Sequence, residues 1–72
     1  MKIYIVMKEI DLGGHPIKAF FNQDDAGSYS EKLSIEWRAM RYPRLKALDY
    51  NNEEISNMTS RSPFYVEEVD IL

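Results

Sequence analysis

The sequence predicts an α+β fold with the chain order β-β-α-β. A three-stranded sheet in the strand order 2-1-3 carries one main amphipathic helix on one face, and a short helical or irregular insert precedes the last strand. Three observations predict it. Residues Lys2 to Ile10 and Phe64 to Leu72 are rich in β-branched and aromatic side chains, the types that suit a pleated, partly buried surface. Between them Ala26, Tyr29, Leu33, Trp37 and Met40 recur at spacings of three and four, which gathers them into one stripe at about 100° per residue. Paired glycines at Gly13 and Gly14 separate the first extended run from a second, as a hairpin requires.

Each element has its own signature. In Lys2 to Ile10, Ile3, Ile5 and Met7 fall on one face and Tyr4, Val6, Lys8 and Ile10 on the other, so the strand is apolar on both faces and reads as central. The segment Asp11-Leu12-Gly13-Gly14-His15-Pro16 reads as the reversal, with the Gly pair supplying positive φ and Pro16 restricting the chain before a second strand, Ile17 to Phe21. At Asn22 the pattern changes to an N-cap followed by Asp24 and Asp25, whose carboxylates face the positive end of a helix dipole. Pro43 disfavours α geometry at Tyr42 and is expected to end or sharply kink that helix. Pro43 to Leu48 then reads as a second short helix, and Asn52 to Met58 as another, capped by Asn51 or Asn52 with Glu53 and Glu54 behind. The polar stretch Thr59 to Pro63 breaks structure before the last strand. A right-handed crossover by the helix puts that strand beside the first, antiparallel to it.

At 72 residues with no repeat or linker, the chain reads as a single small α+β domain spanning residues 1–72. A core of this size rarely supplies more than about 3 to 5 kcal/mol. The sequence has no cysteine, so disulfides, thiolate metal sites and cysteine nucleophiles are excluded, and a cytoplasmic setting is the default. Ile3 to Met7 is too short an apolar run for a signal peptide or membrane span, and a formal net charge of -3 lacks the excess of cations that holds phosphates.

The run Lys2-Ile-Tyr-Ile-Val, the passage Ala19-Phe20-Phe21-Asn22 into an acidic, Ala-containing helix start, and the closing Tyr65-Val-Glu-Glu-Val together resemble a loose family of very small phage and mobile-element domains. These look like three-stranded sheets with one covering helix. The likeness covers roughly the first 35 residues and the last 10; it implies a viral or mobile-element gene and carries no catalytic residue.

The candidate chemistry is sparse. His15, the sole histidine, has no acid or base beside it in sequence and reads as an exposed turn residue. Asp24 and Asp25 are helix-end acids, since neighbours one apart on a helix do not converge on an ion; Glu53-Glu54 and Glu67-Glu68 read as solvated. Arg38, Arg41, Arg44 and Lys46 are packed into nine positions without an acid and interleave with Trp37 and Tyr42. That combination serves single-stranded nucleic acid, a helix C-terminus or an acidic protein partner. Ile35 lies about 180° from the apolar stripe, with Ala39 and Tyr42 following it along the outer face. Either the Leu45 to Met58 segment folds over this line, using Leu45, Leu48, Tyr50 and Ile55, or another molecule covers it.

The expectation is therefore a non-enzymatic protein–protein interaction module without metal or cofactor, a phage-encoded modulator or inhibitor of a host protein of the transcription or defence machinery. Ile35, Arg38, Arg41, Tyr42, Arg44 and Lys46 are its partner-binding residues, a homodimer is compatible with it, and no membrane is involved. The alternative is a small nucleic-acid-binding protein using the Arg38–Lys46 cluster.

Overall fold

A computed structural model describes residues 1–71. Its elements follow the order β1 (Lys2–Ile10), β2 (Gly13–Phe20), α1 (Gln23–Ala47), α2 (Asn52–Met58) and β3 (Phe64–Asp70). The sheet has the order β2-β1-β3, and β1 pairs antiparallel with both neighbours. This is the expected α+β topology with the first strand in the centre. Leu72, included in the expected last strand, lies outside the described residues.

The hairpin differs in detail from the expectation. Its loop is Asp11-Leu12, with Ile10 paired to Gly13, and the positive φ falls on Asp11 at 31° while no glycine has one. Gly13, Gly14, His15 and Pro16 are therefore strand residues. Pro16 is tolerated because β2 is an edge strand and the pairing register shifts beside it, between Val6 and Met7. Gly14 is required for another reason: a Cβ there would collide with the Tyr65 hydroxyl and stand 2.7 Å from Met7 Cε. Tyr65 on β3 reaches across β1 to the bare backbone of β2, and Met7 is buried beneath this arrangement.

α1 begins where expected. The Asn22 side chain accepts hydrogen bonds from the backbone N–H groups of Asp24 at 2.7 Å and Asp25 at 3.2 Å, satisfying two of the otherwise orphaned first-turn donors. The helix rests on the face of the sheet that carries Tyr4, Val6 and Lys8. Phe20, paired with Tyr4, stacks at 5.4 Å on Tyr29 of α1, and Val6 is 0% exposed. Ala26 is buried; Tyr29, Leu33 and Trp37 are half-buried.

Two expectations about this helix are corrected. Pro43 does not end it: α1 runs for 25 residues to Ala47, so Pro43 to Leu48 is its last turn and cap rather than a separate helix. Proline removes one amide and frees the Ala39 carbonyl, and both residues are exposed, so water can take that carbonyl. The end is then closed without glycine. Asp49 adopts φ 67°, its N–H donates to the Lys46 carbonyl and that of Tyr50 to the Leu45 carbonyl, a Schellman closure in which Asp replaces the usual Gly. Met40, placed in the core stripe by its spacing, is 67% exposed. Beyond Trp37 the cover passes from the sheet to α2, and the buried arc turns toward Leu45, about 140° from Met40 around the helix.

Of the two expected caps for α2, Asn51 or Asn52, the structure uses Asn51. Asn51 accepts from the Glu54 N–H at 2.8 Å and Glu54 accepts from the Asn51 N–H at 3.2 Å, a reciprocal capping box. Ile55 faces inward and is buried, as is Leu45. A chain of hydroxyls ties the next segment to α1: Phe64 N–H donates to Ser62 Oγ, Ser62 to Ser34 Oγ at 2.6 Å, and Ser34 to the Ser30 carbonyl at 2.9 Å.

Replacing Pro43 by Ala tests the uninterrupted helix. It returns an amide opposite the Ala39 carbonyl and should raise stability by roughly 1 to 3 kcal/mol, read as a higher thermal midpoint with slightly more helical circular dichroism. A lower midpoint would mean that Pro43 marks a true break.

Candidate interaction surfaces

α1 is about 37 Å long at 1.5 Å per residue, longer than the nine-residue strand beneath it, at about 30 Å. Its second half therefore leaves the sheet: from Arg38 to Ala47 only Leu45 is buried. This projecting arm carries five of the six residues expected to meet a partner, and Ile35 lies at its base.

The structure places them on two sides of the arm. Ile35 is 58% exposed and Ala39 is exposed, whereas Tyr42, 46% exposed, donates its hydroxyl to Asn52 Oδ1 at 3.0 Å. The segment Leu45 to Met58 thus touches the line at Tyr42 and leaves Ile35 and Ala39 open. Of the four residues expected to form that cover, Leu45 and Ile55 are buried, Tyr50 is half-buried and Leu48 is 69% exposed.

The cations spread round the helix. Arg38 Nε donates to the Thr59 carbonyl at 2.9 Å, at the C-terminal cap of α2, so it joins the two helices. The Arg41 guanidinium lies 5.3 Å from the Trp37 ring centroid and Lys46 Nζ 5.9 Å from that of Tyr42. Both aromatics interleaved with arginines are thus already engaged by cations of the chain itself. Arg44 is exposed near the last turn, where a cation meets the negative end of the helix dipole.

A second surface was not singled out from the sequence. The sheet face opposite α1 presents Ile3, Ile5 and Met7 on β1, paired with Val69, Glu67 and Tyr65 on β3, and Ala19 on β2 opposite Ile5. No element of the described chain covers it. Ile3, Ile5 and Val69 are half-buried only by their neighbours within the sheet, and Ala19, Tyr65 and Glu67 are exposed. The signal was available: β1 is apolar on both faces, and the sequence offers one long helix to cover one of them.

Elsewhere the chemistry is modest. An open groove of about 660 Å³ at the hairpin end is lined by Glu9, Asp11, Arg61, Phe64 and Tyr65 among others, and Arg61 Nη2 stands 3.7 Å from Glu9 Oε2 across it. His15 is exposed on β2 opposite Lys8, without a carboxylate partner in its strand pair. Among the described residues no group of three or more His, Cys, Asp or Glu side chains gathers as a metal site, and no helix is long and apolar enough to cross a membrane. No protein-family model matches the chain, and neither a curated protein nor a solved structure shows significant similarity to it.

The two arginine environments are separable. Arg38→Met removes the bond to Thr59 and should lower stability by about 1 kcal/mol, whereas Arg44→Met, which breaks no bond seen here, should leave the thermal midpoint within about 0.5 kcal/mol of the parent. Equal effects would refute the anchoring role of Arg38.

Proposed function

We propose that this chain is a non-enzymatic protein–protein interaction module acting in the cytoplasm, one that a phage or mobile element would encode to bind and block or redirect a host protein of the transcription or defence machinery. The observation that supports it is surface. The chain exposes 5591 Å², whereas a compact monomer of 8.5 kDa exposes about 4,700 Å². The surplus of roughly 900 Å² is about what one partner contributes to a specific protein–protein interface. The radius of gyration agrees: 14.6 Å against about 11 Å for a compact chain of this length.

For a foreign partner the projecting arm is the favoured contact. Ile35 and Tyr42 are apolar anchors, with Lys46 beside them and Arg41 at the polar rim, while Arg44 lies about 180° from Ile35 on the far side of the helix. A nucleic-acid role for Arg38–Lys46 is served less well, since Arg38 is spent on Thr59 and the aromatics carry intramolecular cations.

The test pairs two variants. Ile35→Asp should leave the thermal midpoint nearly unchanged, because the side chain is substantially exposed, whereas Tyr42→Ala also removes the bond to Asn52 and should lower stability by about 1 kcal/mol. Each should weaken retention of the partner protein from an extract of cells carrying the gene by about 1 to 3 kcal/mol, with retention unaffected by nuclease. Nuclease-sensitive retention that falls steeply with salt and is abolished by Arg41→Glu with Arg44→Glu would establish the nucleic-acid role instead.

A further inference from the structure

We propose that the free edge of β3 is a docking site for an extended segment of a partner protein carrying Lys or Arg side chains, which adds to the sheet as a fourth strand. The site lies apart from the helical arm and stands on the sheet alone.

The phase of the β1–β3 ladder identifies the groups on offer. The Glu9 N–H donates to the Pro63 carbonyl and the Ile71 N–H to the Met1 carbonyl, one bond at each end of a register that runs without a shift from Lys2 opposite Asp70 to Lys8 opposite Phe64. Hydrogen-bonded pairs alternate along an antiparallel ladder, so Tyr65, Glu67 and Val69 direct their backbone groups toward β1. Phe64, Val66, Glu68 and Asp70 direct theirs away from it. The Phe64 N–H is taken by Ser62 Oγ at 3.1 Å. Among the described residues no hydrogen bond reaches the N–H or C=O of Val66, Glu68 or Asp70, and no strand lies beyond them. These groups recur about every 7 Å along the edge, a spacing that another strand matches.

The two edges of the sheet are not alike. On β2, Pro16 lacks an N–H and the register shifts between Val6 and Met7, two devices that keep a further strand from pairing. In its seven residues β3 has no proline, glycine or shift. Its safeguard is charge. Glu67, Glu68 and Asp70 give it three carboxylates and no cation, and among the described residues only Glu68 meets a cation, Lys2 at 3.5 Å. Two β3 strands from separate copies would set carboxylate against carboxylate, which is unfavourable. A strand with Lys or Arg at the facing positions reverses that sign, so the edge rejects its own kind and selects a basic segment. The main-chain bonds supply affinity and the carboxylates supply choice.

Titration of the nitrogen-labelled full chain with a capped seven-residue peptide of alternating Lys and Thr tests this, with the Glu–Thr counterpart as control. The Lys peptide should shift the amides of Val66, Glu68 and Asp70 and slow their hydrogen exchange at least about tenfold; the Glu peptide should do neither. Glu68→Pro removes one outward N–H and leaves every bond to β1, so its circular dichroism should persist while binding weakens about tenfold. Glu68→Gln keeps that N–H and should weaken binding less, by about threefold. Should the proline variant fail to fold, Glu67→Lys with Asp70→Lys, both at exposed positions, should abolish binding of the Lys peptide and admit the Glu peptide. Ile35→Asp on the arm should bind as the parent does. No binding of the Lys peptide, shifts confined to the arm, or shifts around Glu67 without slowed exchange at Val66, Glu68 and Asp70 would overturn the proposal, the last by reducing the contact to charge attraction. None of these results touches the reading of the arm, which partner retention decides.

Discussion

A single helix can cover a single face of a sheet, and in this chain that limit governs everything else. The contact is made by Val6 at the centre of β1, wholly buried, and by Phe20 on β2, whose ring meets Tyr29 of α1 at 5.4 Å. Burying a side chain of this size is worth about 1.5 to 3 kcal/mol, a large share of what so small a core supplies. Once α1 is committed to the Tyr4, Val6 and Lys8 face, Ile3 and Ile5 have no cover within the described chain, although they stand on the same central strand.

The length of α1 adds a second consequence. A helix longer than the strands it lies on has to run past them, and its buried arc must find a new neighbour or vanish. Here α2 supplies one through Leu45, Ile55 and the bond from Arg38 to the Thr59 carbonyl, and the Ser34–Ser62 hydroxyl pair fixes where the chain turns back to β3. The apolar packing is thin in this region, and satisfied polar contacts hold much of it in place. Such contacts contribute about 1 kcal/mol each and are costly to break once buried.

The strands, their order and both helix starts were legible in the sequence because each rests on a local rule: alternation in Lys2 to Ile10, and an asparagine cap at Asn22 and at Asn51. The features that were not legible depend on what lies elsewhere in space. Pro43 breaks an isolated helix, yet here exposure of Ala39 and the closure around Asp49 make its cost bearable. Gly13-Gly14 resembles a turn, yet Gly14 is needed by Tyr65, a residue far away in sequence. Met40 continues a perfect spacing, but the sheet it would pack on has ended. The candidate residues Ile35 to Lys46 stand out in the sequence by charge and spacing, but their continuity along one helix does not, because Pro43 reads as its end. Their division into anchor (Arg38) and free surface (Ile35, Arg44) was hidden, since it depends on where α2 lies. The open sheet face was missed because periodicity shows that a face is apolar without showing whether anything covers it.

Which face of the sheet lies under α1 is therefore the point to measure, and a two-dimensional NOE spectrum of the aromatic and methyl protons settles it. Cross-peaks between the rings of Phe20 and Tyr29, with none from Tyr29 to Ile5 or Ala19, are expected from the packing described above. Cross-peaks joining Tyr29 to Ile5 and Ala19, with Phe20 free of the helix, would place α1 on the opposite face and contradict it.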